Sequence, residues 1–202
     1  MSAPAIEIGI AQAARAGETR SGDRCVVKTA AQRTLIGVID GVGHGPEAAL
    51  AADAAAEVLE TFAGEPVSAL LQRCHERLRN TRGAAITLMV LDAAARAAEW
   101  AGAGNVAAVV SQAEPAGRRY SRELLVRGGI AGSVLPSTDA LSVTVGRGDT
   151  VVFATDGLHR TFVDGITSGG SAQRLAEQLL AKYGTVQDDA LVVVARLAEV
   201  PA

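Results

Sequence analysis

Aromatic residues are scarce in this chain of 202 residues, at 3% of positions, so alanine, valine and leucine must fill whatever core it forms. Cysteine is rarer still. Cys25 and Cys74 are too few and too far apart for a disulfide framework or a zinc site. There is no basic excess: the formal charge is −3, which argues against nucleic acid as a partner, because phosphate backbones select a positive surface. No apolar run approaches the roughly 18 residues of a membrane span. Met1–Ile10 carries Glu7 and lacks the basic, apolar pattern of a signal peptide, so a soluble cytoplasmic protein is expected. Internal repeats, low-complexity tracts and Pro/Ser-rich linkers are also missing, which predicts one domain over 1–202.

What remains is a chain with 49% hydrophobic residues, enough to bury a real core. Short strand-like runs bounded by Gly, Asp, Pro or Arg recur at Ile6–Ala14, Cys25–Ala31, Thr34–Ile39, Ala84–Leu91, Ala97–Ala101, Val106–Ser111, Arg119–Val126, Leu141–Val145, Thr150–Ala154 and Ala190–Arg196. Three segments read as helices. Pro46–Phe62 opens with a first-turn proline and spaces Leu50, Ala54, Val58 and Phe62 four apart. Pro66–Arg79 puts Val67, Leu70, Leu71, Cys74 and Leu78 on one face, with His75 on the exposed side. Ser171–Tyr183 has a serine cap, a Leu175/Leu179 stripe and Gly184 as its stop. The first two helices interrupt a strand series instead of alternating with it. That order predicts packed sheets with outer helices, not a doubly wound parallel sheet.

Carboxylates sit at the strand ends. Asp23 follows Ser21-Gly22, Asp40 opens Asp40-Gly41-Val42-Gly43-His44-Gly45, Asp156 precedes Gly157, and Asp188-Asp189 precede the last strand. Each alone is ordinary turn or loop chemistry. As a set they would repel one another, and a hard divalent cation is the natural remedy. Oxygen-only ligands favour magnesium or manganese over zinc. Two such ions about 3.5–4 Å apart can stabilise in-line displacement at phosphorus. A competing reading of Gly41–Gly45 as a dinucleotide fingerprint fails on three counts. Pro46 stands at the third glycine position, Asp40 would face the pyrophosphate, and Glu60 lies in a helix instead of ending a strand. A P-loop lacks its Gly-Lys-Ser/Thr.

The ordered set Ser21-Gly22-Asp23, Asp40-Gly41-Val42-Gly43-His44-Gly45-Pro46, Ala101-Gly102-Ala103-Gly104-Asn105, Thr155-Asp156-Gly157-Leu158 and Asp188-Asp189-Ala190 resembles the metal-dependent protein phosphatases of the 2C type. It is closest to their bacterial SpoIIE-like branch. The resemblance implies an α+β fold, a β-sandwich of two mostly antiparallel sheets flanked by α-helices, and two divalent cations, Mn2+ or Mg2+. It makes Asp40 the carboxylate bridging both metals and the Gly41 carbonyl a further ligand. Asp23, Asp156 and Asp188 match the remaining carboxylate positions, with Asp189 the weaker choice beside Asp188. Val42 stands where the larger 2C enzymes have a histidine, and His44 lies two residues further on. Arg20 is near the position of a phosphate-binding arginine but at a different spacing, so no role passes to it.

The compact form resembles the feedback phosphatases of the stressosome, which implies phosphorylated STAS-domain proteins as substrate. Two alternatives stand beside that reading: a phosphatase of an anti-sigma-factor antagonist, and a non-catalytic module that binds phosphoproteins. The four intact carboxylates favour catalysis over the last. Outside this set, His159 reads as a loop or helix-start residue. Arg118, Arg119, Arg122 and Arg127 read either as a solvated hairpin or as a docking surface for an acidic or phosphorylated protein.

Overall fold

The computed structural model describes residues 6–30, 32–113 and 119–197. Among these residues ten strands form two five-stranded sheets in which every strand pairing is antiparallel. The first sheet runs in the order β1 (Ile6–Ala13), β10 (Ala190–Leu197), β9 (Thr150–Ala154), β6 (Ala107–Ala113), β7 (Arg119–Leu124). The second runs β2 (Asp23–Ala30), β3 (Arg33–Gly41), β4 (Ala84–Asp92), β5 (Ala97–Ala103), β8 (Leu141–Thr144). Helices α1 (Gly45–Thr61) and α2 (Val67–Leu78) join β3 to β4, and α3 (Ala172–Tyr183) precedes β10. The expected sandwich with outer helices is therefore present.

Its layering follows from strand periodicity, since successive side chains point to opposite faces. On β3, Ile36 and Val38 enter the core between the sheets, while Leu35 and Ile39 pack under α1 and α2. On β10, Leu191, Val193 and Ala195 face the other sheet, while Ala190, Val192 and Val194 meet α3. Both faces are dry, which is why these strands read as continuous apolar runs instead of alternating ones.

Most boundaries move by one to three residues, and Ala31 lies outside the described residues. Two shifts matter because β2 begins at Asp23 and β3 runs on through Gly41, placing both site motifs inside the ladder. Two expectations are overturned. Leu50 is 60% exposed, and α1 buries Ala48, Ala51, Ala52, Ala55, Val58 and Leu59 instead. Small alanines let the helix approach the sheet closely, and an apolar stripe drawn through leucine misses that face. His75 is 8% exposed, not solvent-facing, and its Nδ1 accepts the Gly132 N–H at 3.0 Å. Sequence spacing placed it off the apolar stripe, but the loop after β7 folds over α2 and covers it.

Gly9 on β1 lies directly under the start of α3, so an added Cβ would collide with the backbone of Ala172 and Gln173. Gln173 completes the junction by accepting the Ile10 N–H and donating to its carbonyl, both at 2.9 Å. Gly9→Ala is expected to destabilise the fold by about 1–3 kcal/mol, since backbone on both sides cannot yield cheaply. Gly64→Ala, which meets nothing within 4 Å, is the matched control. Urea midpoints for the two variants check this; equal midpoints would refute the packing role of Gly9.

Candidate metal centre

The strand-end carboxylates gather where the two sheets open at one edge of the sandwich. Asp23 and Asp40 are direct cross-strand partners on β2 and β3, so their side chains share a face. Asp156 follows the end of β9 and Asp188 precedes β10, in the opposite sheet. Asp40, Asp156 and Asp188 line one pocket of about 180 Å³ together with Arg15, His44 and Asn105. Asp23 lies deeper, 1% exposed, behind Asp40.

Hydrogen bonds fix these groups from both sheets. The Thr155 hydroxyl donates to Asp23 Oδ2 at 2.8 Å and accepts the Leu191 N–H at 2.9 Å. That leaves Oδ1 as the remaining acceptor of Asp23. Asn105, in the turn that carries the chain from β5 to β6, donates to Asp156 Oδ2 at 2.7 Å. His44 is held at the pocket rim by Glu18, Nδ1 to Oε1 2.8 Å. Gly41 must be glycine because α1 crosses it: an added Cβ would strike the Ala48 carbonyl. Gly157 answers to the same constraint, its missing Cβ making room for the Asp189 carbonyl. At Gly157 close approach, not turn geometry, excludes a side chain.

Electrostatics at this edge are unfavourable as built. Burial, and after it the charges of Asp23, Asp156, Asp188 and Asp189, push the Asp40 carboxyl up to about 8. Asp23 is raised to about 7, mainly by burial, with Asp189, Asp156 and Asp188 adding to the rise and the Thr155 hydrogen bond opposing it. Asp156 is raised by burial and then by Asp188, against the Asn105 hydrogen bond. Among the described residues, Arg15 is the one Lys or Arg lining the pocket.

The donor set fits hard divalent cations. It offers the carboxylate oxygens of Asp40, Asp156 and Asp188, carries excess negative charge and stays open to solvent, while Gly41 is not among the lining residues. Among the described residues no group of three or more His, Cys, Asp or Glu side chains is assembled tightly enough to hold a metal by itself. Such openness suits magnesium-like ions, which keep several waters and take only one or two carboxylates each.

Other residues fall elsewhere. Asp189 turns away from the pocket and accepts two backbone N–H groups, from Arg15 and Gly22. Arg20 is not in the pocket and pairs with Asp53 at 2.8 Å. Arg15 takes the place near the carboxylates that a sequence search around Arg20 would have missed; its position depends on the fold of residues 14–22, not on motif spacing. His159 caps a short 3₁₀ turn, Arg160–Gly165, as a loop residue should. Arg122 is exposed on β7 and Arg127 is exposed beyond it, while Arg118 lies outside the described residues.

The raised carboxyls give the protein a testable pH dependence. A folded-state pKa above the unfolded value of about 4 means the native state binds extra protons, so this stability is complete below pH ~4 and lost as pH rises through 7–8. In chelator, the melting temperature is expected to fall between pH 5.5 and pH 8.5, and Asp40→Asn should flatten that fall. Thermal melts of both proteins across the range check it, and identical slopes would contradict the assignment.

Known proteins share this sequence pattern and fold. Residues 30–198 match the family model for stage II sporulation protein E (SpoIIE). The chain is 23% identical to the phosphoserine phosphatase RsbX of Bacillus subtilis (strain 168) over 189 residues, covering 94% of this chain and 93% of RsbX. A solved chain from work on the bacterial stressosome, as a modular system adapted to control secondary messenger signalling, is 31% identical. It superposes with a TM-score of 0.85 over 95% of this chain and all of its own. RsbX in complex with magnesium superposes equally well, with a TM-score of 0.85 at 22% identity over 96% of each chain. The matched span leads to one conclusion: the chain belongs to the SpoIIE (stage II sporulation protein E) family, and it shares the fold of the PP2C phosphatase domain of SpoIIE from Bacillus subtilis.

Proposed function

We propose that the protein removes phosphate from phosphoserine or phosphothreonine on a bacterial signalling protein, in the cytoplasm, with stressosome STAS-domain proteins as the substrates. The observation that carries the chemistry is the convergence of Asp40, Asp156 and Asp188 from opposite sheets on one open pocket that also contains Arg15. The substrate class rests on the likeness to RsbX, a phosphoserine phosphatase, and to the stressosome chain. Among the described residues no helix is long and apolar enough to cross a membrane, which fits a substrate reached from solution.

In this reading Asp40, Asp156 and Asp188, the Gly41 carbonyl and the free oxygen of Asp23 hold two divalent cations, manganese or magnesium. Bound there, the cations supply a water activated as nucleophile and Lewis-acid stabilisation of the phosphoryl oxygens. The protein's own groups do the rest. The Arg15 guanidinium binds the phosphoryl oxygens and orients the ester. Asn105 holds Asp156 in one rotamer, and Thr155 does the same for Asp23. The raised carboxyls of Asp23 and Asp40 would have to lose their protons to hold cations, so cation affinity should rise with pH.

Phosphate release from an aryl phosphate is expected to stop in excess EDTA and return with manganese or magnesium. Asp40→Asn should fold, lose turnover by orders of magnitude, and gain less melting temperature from manganese than the unaltered protein. Full activity in EDTA would sink the metal-dependent reading. For the substrate, phosphorylated STAS-domain protein and phosphorylated anti-sigma-factor antagonist are compared at equal concentration. Faster release from the antagonist would move the protein to that pathway, and no release from either, despite aryl phosphatase activity, would reject both substrates.

A further inference from the structure

Asp189 is 3% exposed, carries no Lys or Arg partner among the described residues, and does not line the pocket. Both of its oxygens are nevertheless occupied. Oδ1 accepts the Arg15 N–H at 2.9 Å, and Oδ2 accepts the Gly22 N–H at 2.8 Å. Gly22 in turn accepts the Gly41 N–H through its carbonyl at 3.1 Å, and it is joined by a peptide bond to Asp23. An added Cβ at Gly22 would stand 3.2 Å from Asp189 Oδ2 and 2.9 Å from the Ala48 side chain, so the backbone approaches as closely as it can.

We infer that Asp189 is a positioning residue that sets the pocket arginine and the metal-binding edge at once, through two backbone N–H groups of the segment 15–22. The inference rests on the phosphatase reading of the pocket. Arg15 lies at one end of that segment and Asp23 follows the other. Asp189 itself precedes β10 in the first sheet, whereas Gly22 leads into β2 of the second. One buried carboxylate therefore fixes, across the sandwich, both the group that grips phosphate and the strand pair that carries Asp23, Asp40 and Gly41. The chemistry calls for a carboxylate: it accepts at both oxygens, and each bond is charge-assisted. Asparagine has nearly the same shape but accepts at one position only, and its amide would set N–H against N–H at the other.

Asp189→Asn is tested in the full chain on p-nitrophenyl phosphate with manganese. It should remain folded by circular dichroism. Its KM should rise by about tenfold, and the manganese midpoint of its thermal shift should rise roughly 10–100-fold, the range for groups that orient ligands. At saturating manganese and substrate, kcat should fall less than about threefold, because the reacting groups are intact. A residue serving stability alone would lower the melting temperature and leave KM and the manganese midpoint unchanged, and that result overturns the proposal. Complete loss of manganese binding also overturns it, by making Asp189 a ligand. If the variant does not fold, amide hydrogen exchange of the unaltered protein decides: Arg15 and Gly22 should be protected, and exchange at open-loop rates refutes the role. Should the unaltered protein show no hydrolysis with any divalent cation, the phosphatase reading fails by itself, while the manganese midpoint and the amide exchange still judge Asp189.

Discussion

The constraint on which the structure turns is the crowding of carboxylates at the open edge of the sandwich, where Asp23 is buried, Asp40 and Asp188 are half-buried and Asp156 is exposed. Asp23 and Asp40 sit opposite one another on β2 and β3, and Asp156 and Asp188 reach toward them from the other sheet. Burial first, and mutual repulsion after it, raise the carboxyls of Asp23 and Asp40 to about 7 and 8. What keeps them close is neutral or backbone hydrogen bonding. Thr155 bonds Asp23 across the seam, Asn105 bonds Asp156, and Asp189 takes two backbone N–H groups. These bonds neutralise none of the charge. They hold an arrangement short of positive charge, which suits hard divalent cations.

The rest of the fold makes that arrangement affordable. The seam between the sheets is filled by Ile36, Val38, Met89, Leu91, Trp100, Val151, Phe153, Leu191 and Val193, so the strands cannot slide without breaking a dry core. A strand locked in this way delivers its terminal residue to a defined place. Outside, alanines on α1 allow the helix to lie against β3 and to cross Gly41 at backbone contact. Scarcity of aromatics is then no weakness, because close approach of small residues replaces bulk.

Much of this was legible in the amino-acid order. Ten short apolar runs, three helices and their sequence order already excluded a doubly wound sheet, and the landmarks from Ser21-Gly22-Asp23 to Asp188-Asp189-Ala190 pointed to the phosphatase fold. Locally coded features survive the step to three dimensions: Ser171 does cap α3, accepting from Arg174, and both first-helix prolines stand at helix starts. Leu50 and His75 were misplaced because burial depends on which neighbour covers a face. Alanine carries almost no hydrophobic signal, and nothing near His75 in sequence announces Gly132.

By itself, then, the sequence determined the strand and helix content, the family, and the identity of the carboxylates, because strand periodicity, caps and the Asp-Gly motifs are local properties. Tertiary structure alone decided how those carboxylates differ. It sent Asp40, Asp156 and Asp188 to the pocket, sank Asp23 behind them, turned Asp189 onto the Arg15 and Gly22 backbone, and brought in Arg15 while Arg20 went to Asp53. Adjacent aspartates such as Asp188 and Asp189 are chemically identical in the sequence. Only the sheet beneath them, by sending one side chain outward and the next inward, gives them separate work.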